Sequence, residues 1–280
     1  MIQKRVAAIH DISCFGKCSL TVALPVISAT GIETAVIPTA VLSTHTGGFS
    51  GYTFRDLTDD ILPIAQHWKK EGITVDAIYT GYLGSKEQIG IVIEAAKLIS
   101  DQSTLLIVDP VMADNGKLYG GFPEDFPENM KKLCQAADII TPNITEAALM
   151  IGMEYKAPPY DKEYIDTMIE KLRAMTDARI VLTGVSFAEG EIGAACCENG
   201  KTEYVFTKRV EALYHGTGDV FSSALTSGIL KGKSLLRSAE IAAKFTALCI
   251  KNTKENYTYM KYGVNFEEKL PELIKLLDGE

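Results

Sequence analysis

Residues 76–109 read DAIYTGYLGSKEQIGIVIEAAKLISDQSTLLIVD. Asp76-Ala77-Ile78-Tyr79-Thr80 and Leu105-Leu106-Ile107-Val108-Asp109 are short apolar runs of strand length, and Lys86–Ile99 between them carries the spacing of an amphipathic helix. Strand, helix and strand in that order form a βαβ unit, which lays its two strands parallel. The same alternation extends in both directions. Arg5–His10, Thr34–Pro38, Asp138–Thr141 and Arg179–Thr183 read as further strands, and about Cys18–Ala29 as a helix in which Pro25 marks a kink or break. The pattern changes at Gly193–Cys197 and Thr202–Phe206, which flank Glu198-Asn199-Gly200-Lys201, an Asn-Gly hairpin signal. Helical spacing returns at about Leu235–Lys251 and Glu267–Leu277. The expectation is an α/β fold: a mostly parallel central sheet, helices on both faces and an antiparallel edge hairpin. With no repeat or linker, and with Met153–Tyr160 read as a surface loop, residues 1–280 are expected to form a single domain.

Bulk composition narrows the function. Lys and Arg number 28 against 36 Asp and Glu, and the net charge of −8 argues against nonspecific nucleic-acid binding. No apolar run approaches the length of a membrane span. The six cysteines, Cys14, Cys18, Cys134, Cys196, Cys197 and Cys249, show no zinc-type spacing. Met1-Ile2-Gln3-Lys4-Arg5 does not open a signal peptide, so reduced thiols and a cytoplasmic location are expected.

Open α/β sheets bind ligands beyond the carboxyl ends of their strands, where this chain concentrates its polar motifs. Asp109-Pro110-Val111-Met112-Ala113-Asp114-Asn115-Gly116 follows one apolar run, Thr141-Pro142-Asn143-Ile144-Thr145-Glu146 the next, and Thr183-Gly184 ends another. Later comes His215-Gly216-Thr217-Gly218-Asp219, leading into the apolar helical run Val220-Phe221-Ser222-Ser223-Ala224-Leu225. Two glycines allow a tight turn, and a helix start presents unpaired N–H groups to an anion. Asp219 would repel a phosphate, so its economical role is to take the proton from an attacking hydroxyl. Phosphoryl transfer also needs charge neutralisation, and Asp109, Asp114 and Glu146 offer carboxylates for magnesium directly or through water. The blander readings are a turn after a strand at Asp109-Pro110, a helix capping box at Asn143-x-x-Glu146, and an ordinary turn at Gly216–Asp219.

Taken in order along nearly the whole chain, Gly81-Tyr82-Leu83-Gly84-Ser85, Asp109–Asp114, Thr141–Glu146 and Gly216–Asp219 resemble the ribokinase-like superfamily, and within it the pyridoxal kinase group. That resemblance implies ATP-dependent phosphorylation of the 5′-hydroxymethyl group of a vitamin B6 vitamer. It implies Asp219 as base, and Gly216, Thr217 and Gly218 as the anion hole. Asp109, Asn143, Glu146 and Thr183 would lie at ATP, with Asp109, Asp114, Thr141 and Glu146 serving Mg²⁺. Thr141 and Thr183 would lie beside the triphosphate, where related kinases also place a monovalent cation such as K⁺. A homodimer is implied too.

At the alcohol end the resemblance places Asp11, Thr46 and Tyr82 around the ring, with Asp219 at the hydroxyl. Pyridoxal kinases often carry serine where this chain has Asp11, and a carboxylate there suits a protonated ring nitrogen or an amine. Hydroxymethylpyrimidine kinase therefore stands as the alternative within the same chemistry, and a noncatalytic nucleotide- or B6-binding protein as the alternative outside it. A sugar kinase fits less well, because residues 16–30 read as helix rather than as an inserted β lid. A dinucleotide oxidoreductase fails for want of Gly-x-Gly-x-x-Gly after the first strand, where Asp11-Ile12-Ser13-Cys14-Phe15-Gly16 stands. His45 is expected in a loop or hydrogen-bonding role, His215 in shaping the turn, and Cys14 and Cys18 in structural roles. Phe49 reads equally as a ring-stacking residue or a loop anchor. The glycine-rich segment 115–122 reads as a flap over the site or as a passive turn.

Overall fold

The computed structural model describes residues 3–256 and 262–279. The signal-peptide reading at Met1 and Ile2 lies outside them. In chain order the elements are β1 (Arg5–Ser13), α1 (Leu20–Ala29), β2 (Glu33–Leu42), β3 (Phe54–Asp56), α2 (Thr58–Lys70), β4 (Ala77–Thr80), α3 (Lys86–Ile99), β5 (Leu105–Val108), β6 (Ala113–Asp114), β7 (Lys117–Leu118) and α4 (Phe126–Gln135). They continue with β8 (Ile139–Ile140), α5 (Ile144–Ile151), α6 (Lys162–Met175), β9 (Arg179–Val185), β10 (Glu191–Glu198), β11 (Lys201–Lys208), α7 (Thr217–Leu230), α8 (Leu235–Asn256), a 3₁₀ turn (Glu267–Lys269) and α9 (Leu270–Asp278).

One sheet runs in the order β11-β10-β9-β8-β5-β4-β1-β2-β3, and β6 and β7 form a separate hairpin. From β2 through β1, β4, β5 and β8 to β9 every neighbouring pair is parallel. The antiparallel pairings lie at the edges, between β9, β10 and β11 on one side and between β2 and β3 on the other. The Asn199-Gly200 hairpin is present as expected, both residues having positive φ.

Both faces of the sheet are covered, which explains why its strands read as unbroken apolar runs. On β4, Ile78 enters one core while Ala77 and Tyr79 enter the other; on β5, Leu106 and Val108 oppose Ile107 in the same way. The first core packs beneath α2–α6 and the second beneath α1, α7, α8 and α9. Helix α3 occupies the stretch its periodicity predicts. Ser85 caps it by accepting from the Gln88 N–H at 3.1 Å, and Ile89, Val92, Ala96 and Ile99 face the core.

Three elements differ from expectation. Pro25 does not end α1, because burial of Val22, Ala23, Val26 and Ile27 outweighs the hydrogen bond that a proline cannot donate. β1 continues through Asp11 to Ser13, so Asp11 lies within the strand rather than after it, at an irregularity in the β1–β2 register between His10 and Ile12. β8 is reduced to Ile139–Ile140. Met153–Tyr160 is indeed a loop, and α1 follows β1 with no intervening β lid. Among the described residues no helix is long and apolar enough to cross a membrane.

Candidate active site

The carboxyl ends of β1, β4, β5, β8 and β9 and the amino ends of α5 and α7 converge. Gly216 is the N-cap of α7 with φ +78°, a left-handed conformation that glycine adopts without penalty. A Cβ on Gly216 would overlap the carbonyl oxygen of Lys17 in the β1–α1 loop, whereas one on Gly218 would meet nothing within 4 Å. The turn is therefore closed beneath and open in front. The first N–H groups of a helix have no intrahelical acceptor, which leaves those of α7 suited to an anion.

Asp219 sits half-buried in the first turn of α7. Burial pushes its carboxyl up to about 7; the nearby Asp11 adds to the rise, and a hydrogen bond from the Ser19 backbone N–H opposes it. A carboxylate with this affinity for a proton is suited to act as a base near neutral pH. Asp109 is buried at the end of β5 and is also pushed up to about 7, first by burial and then by Asp219. The Ser222 hydroxyl donates to its Oδ2 at 3.0 Å and lies 3.1 Å from the Thr141 hydroxyl.

Asn143 and Glu146 form the capping box of α5: Asn143 Oδ1 accepts from the Glu146 N–H at 2.9 Å, and Glu146 Oε2 from the Asn143 N–H at 2.8 Å. Glu146 Oε1 also accepts from the Met112 N–H at 3.2 Å, and the Asn143 amide donates to the Ala113 carbonyl at 2.9 Å. The box thus ties α5 to the segment after β5. Burial, with Asp109 next, holds Glu146 well above the usual carboxylate range. Thr183, on β9, pairs with Asn143 as an extension of the β8–β9 ladder, its N–H on the Pro142 carbonyl at 2.9 Å.

The expected carboxylate set for magnesium is only partly assembled. Asp114 is exposed on the β6–β7 hairpin, and its two oxygens accept from the Asn115 backbone and side-chain amides at 2.8 and 3.0 Å. Among the described residues no group of three or more His, Cys, Asp and Glu side chains forms a metal cluster. The reason is local: Glu146 is committed to backbone amides and Asp114 to its neighbour, leaving Asp109 with a hydroxyl partner. The hairpin tip is docked rather than free, with the Gly116 N–H on Thr145 Oγ1 at 3.0 Å, and Tyr155 2.6 Å from where a Gly116 Cβ would lie. Burial, and after it Glu146, Asp114, Asp109 and Asp219, raise the pKa of Tyr119, further along the segment.

At the alcohol end, buried Asp11 accepts from Ser13 Oγ at 2.9 Å and from the Ser19 side chain, and burial raises its pKa. Tyr82 is half-buried with its ring 5.5 Å from Phe122; burial, then Asp11 and Tyr52, push its hydroxyl up to about 12. Thr46 is exposed, on a loop whose next residue, Gly47, packs on the His215 ring. His45 is buried, its ring 5.1 Å from His215 and 5.0 Å from Phe49. Phe49 stacks on Tyr262 at 6.2 Å, a contact in keeping with the loop-anchor reading. Burial and the carboxylates of Asp219 and Asp11 raise the Cys18 thiol, which keeps it protonated and unreactive.

Sequence reasoning overlooked Ser222 and Ser19. Ser222 carried a usable signal, a hydroxyl three residues after Asp219 in an apolar helical run. Ser19 carried none, because its contacts depend on a backbone conformation. Past the end of β9 lies a cavity of about 700 Å³ lined by Pro158, Ser186, Arg209, Glu211 and Leu213.

Residues 22–264 match the family described as phosphomethylpyrimidine kinase. The pyridoxine kinase of Bacillus subtilis is 31% identical over 189 residues, spanning 65% of this chain and 66% of that protein. The crystal structure of pyridoxal kinase from Lactobacillus plantarum superimposes with a TM-score of 0.90 at 30% identity, covering 100% of this chain and 99% of the other. A candidate phosphomethylpyrimidine kinase from Bacteroides thetaiotaomicron, in a crystal form with pyridoxal, gives a TM-score of 0.88 at 34% identity over 98% and 96% of the two chains.

Proposed function

The chain belongs to the phosphomethylpyrimidine kinase family, whose members transfer phosphate to an alcohol, and from this we propose that it phosphorylates the hydroxymethyl group of a vitamin B6 vitamer with ATP. The observation that carries the reading is Asp219 at the amino end of α7, its pKa raised to about 7, beside the open space before Gly218. Asp219 takes the proton of the attacking hydroxyl, while the amides of Gly216, Thr217 and Gly218 hold the charge that develops on the transferring group. Two relatives favour B6 as the alcohol: the pyridoxine kinase and the protein crystallised with pyridoxal.

Asn143, Glu146, Thr183 and Asp109 form the nucleotide side, and the cavity past β9 is large enough to take the nucleoside. Magnesium fits these residues, since it binds through one or two carboxylates, retained waters and phosphate oxygens rather than an all-protein cage. Asp109 would hold it, with Glu146, whose oxygens are engaged by backbone amides, reaching it through retained water, and when bound it neutralises phosphate charge. Thr141 and Thr183 supply oxygens suited to a monovalent cation. With no cation present, Asp109 keeps its proton up to about pH 7, so protons and Mg²⁺ compete for it. The Mg²⁺ concentration for half-maximal rate is therefore expected to rise by about fivefold between pH 7 and pH 6 in excess of what ATP protonation accounts for. Titration at fixed ATP checks this, and Asp109→Asn removes the excess.

Asp11 sustains the hydroxymethylpyrimidine reading as the alternative, because a buried carboxylate suits an amine or a protonated ring nitrogen. Comparison of kcat/KM for pyridoxal, pyridoxine, pyridoxamine and hydroxymethylpyrimidine decides between them. A B6 vitamer is expected to give the highest value; hydroxymethylpyrimidine exceeding all three would reverse the assignment. Asp11→Ser is expected to lower kcat/KM for pyridoxamine about tenfold or more relative to pyridoxal, the scale of one hydrogen bond to a charged group. An unchanged ratio would remove Asp11 from ring recognition.

A further inference from the structure

The Ser19 N–H reaches Asp219 from a strained backbone, with φ +53° and ψ −128°, outside the left-handed well that non-glycine residues tolerate. Its side chain meanwhile bonds Asp11, so one residue braces both carboxylates of the alcohol end. Such a conformation persists only where its surroundings hold it. Two residues earlier, Lys17 is tied down by both backbone and side chain. Its N–H donates to the Tyr262 carbonyl at 2.9 Å, it pairs with Gly263 as a parallel bridge, and its carbonyl packs under Gly216. The Lys17 ammonium donates to Asn265 Oδ1 and to Glu267 Oε2, the latter at 2.7 Å, and lies 5.8 Å from the centre of the buried Phe266 ring. The segment it grips is itself joined to the anion turn, since the Val264 N–H donates to the His215 carbonyl at 3.2 Å.

We propose that Lys17 is a positioning residue for phosphoryl transfer: its grip on Asn265 and Glu267 holds Ser19 against Asp219 and the β1–α1 loop against the anion turn. The inference rests on Asp219 being the base. Lys17 touches no reacting atom, so its loss misaligns the base without emptying either substrate site. A misplacement of about 1 Å costs up to about 100-fold in rate.

Lys17→Met is expected to lower kcat about 10- to 100-fold with KM for ATP and alcohol within about threefold, and to speed amide exchange at Ser19. Lys17→Arg, which still reaches Asn265 and Glu267, should restore most of kcat. A wild-type kcat in Lys17→Met, a loss confined to KM, or no recovery in Lys17→Arg would overturn the proposal. If Lys17→Met does not fold, Glu267→Gln replaces it: a reduced kcat with faster Ser19 exchange supports the grip, and wild-type behaviour overturns it. If Asp219→Asn retains full turnover, the base assignment fails separately. Ser19 exchange in Lys17→Met then still decides whether the grip exists, faster exchange supporting it and unchanged exchange overturning it.

Discussion

Asp219→Asn is expected to reduce kcat by about 10²- to 10⁴-fold, the usual contribution of a positioned general base. Asparagine has the size and shape of aspartate, and its Oδ1 can still accept the Ser19 N–H that reaches this side chain. What disappears is the proton acceptor. The anion turn, the capping box of α5 and the Asp109–Ser222–Thr141 contacts contain no atom of the Asp219 side chain. ATP binding is therefore expected to stay within a few-fold of wild type, measured by calorimetry or by KM. That split identifies a group acting in the transition state rather than in binding. Parallel loss of ATP affinity would make Asp219 a nucleotide-site residue, and unchanged turnover would remove it as base. The pH profile gives the same group a second check. With its pKa raised to about 7, the base is protonated below that pH, so kcat/KM should fall as pH drops through 7 and level off above it.

Gly216→Ala is expected to be nearly as damaging, and to show it in stability as well as rate. The position has φ +78°, and the left-handed region costs an L-residue about 1–2 kcal/mol. The added methyl would also overlap the Lys17 carbonyl, which is backbone and cannot rotate away. Either α7 shifts its first turn or the β1–α1 loop retreats; both move the anion amides relative to Asp219. A loss of about 100-fold in kcat is expected for a displacement near 1 Å, accompanied by a lower melting temperature. Gly218→Ala is the control for stability, because its Cβ meets nothing within 4 Å and the melting temperature should barely move. Equal melting temperatures for Gly216→Ala and wild type would contradict the packing described.

What could be read from sequence follows from the range of the interactions concerned. A helix near Lys86–Ile99 was legible because a periodic apolar face is local, whereas its Ser85 cap was not read. The Asn199-Gly200 hairpin and the Asn143–Glu146 box were legible for the same reason. β1 was cut short at His10 because Asp11 and Ser13 interrupt the apolar run, although pairing with β2 carries the strand through them. The two-residue strands β6 and β7 are too short to show a period. The site's cross-links were out of reach: Ser222 meets Asp109 across 113 residues, and Lys17 meets Glu267 across 250. The motifs at the strand ends offered three carboxylates for magnesium. Only the folded chain shows that Asp114 is bound to Asn115 and Glu146 to the backbone amides of Asn143 and Met112.

Phosphoryl transfer from ATP to a B6 hydroxymethyl group can be read by phosphorus NMR of purified protein with MgATP and pyridoxal, pyridoxine or pyridoxamine. One new phosphate monoester on the hydroxymethyl oxygen is expected for each ADP released, with at least one vitamer. ATP left intact with all three, or split to ADP and inorganic phosphate without an ester, would contradict it.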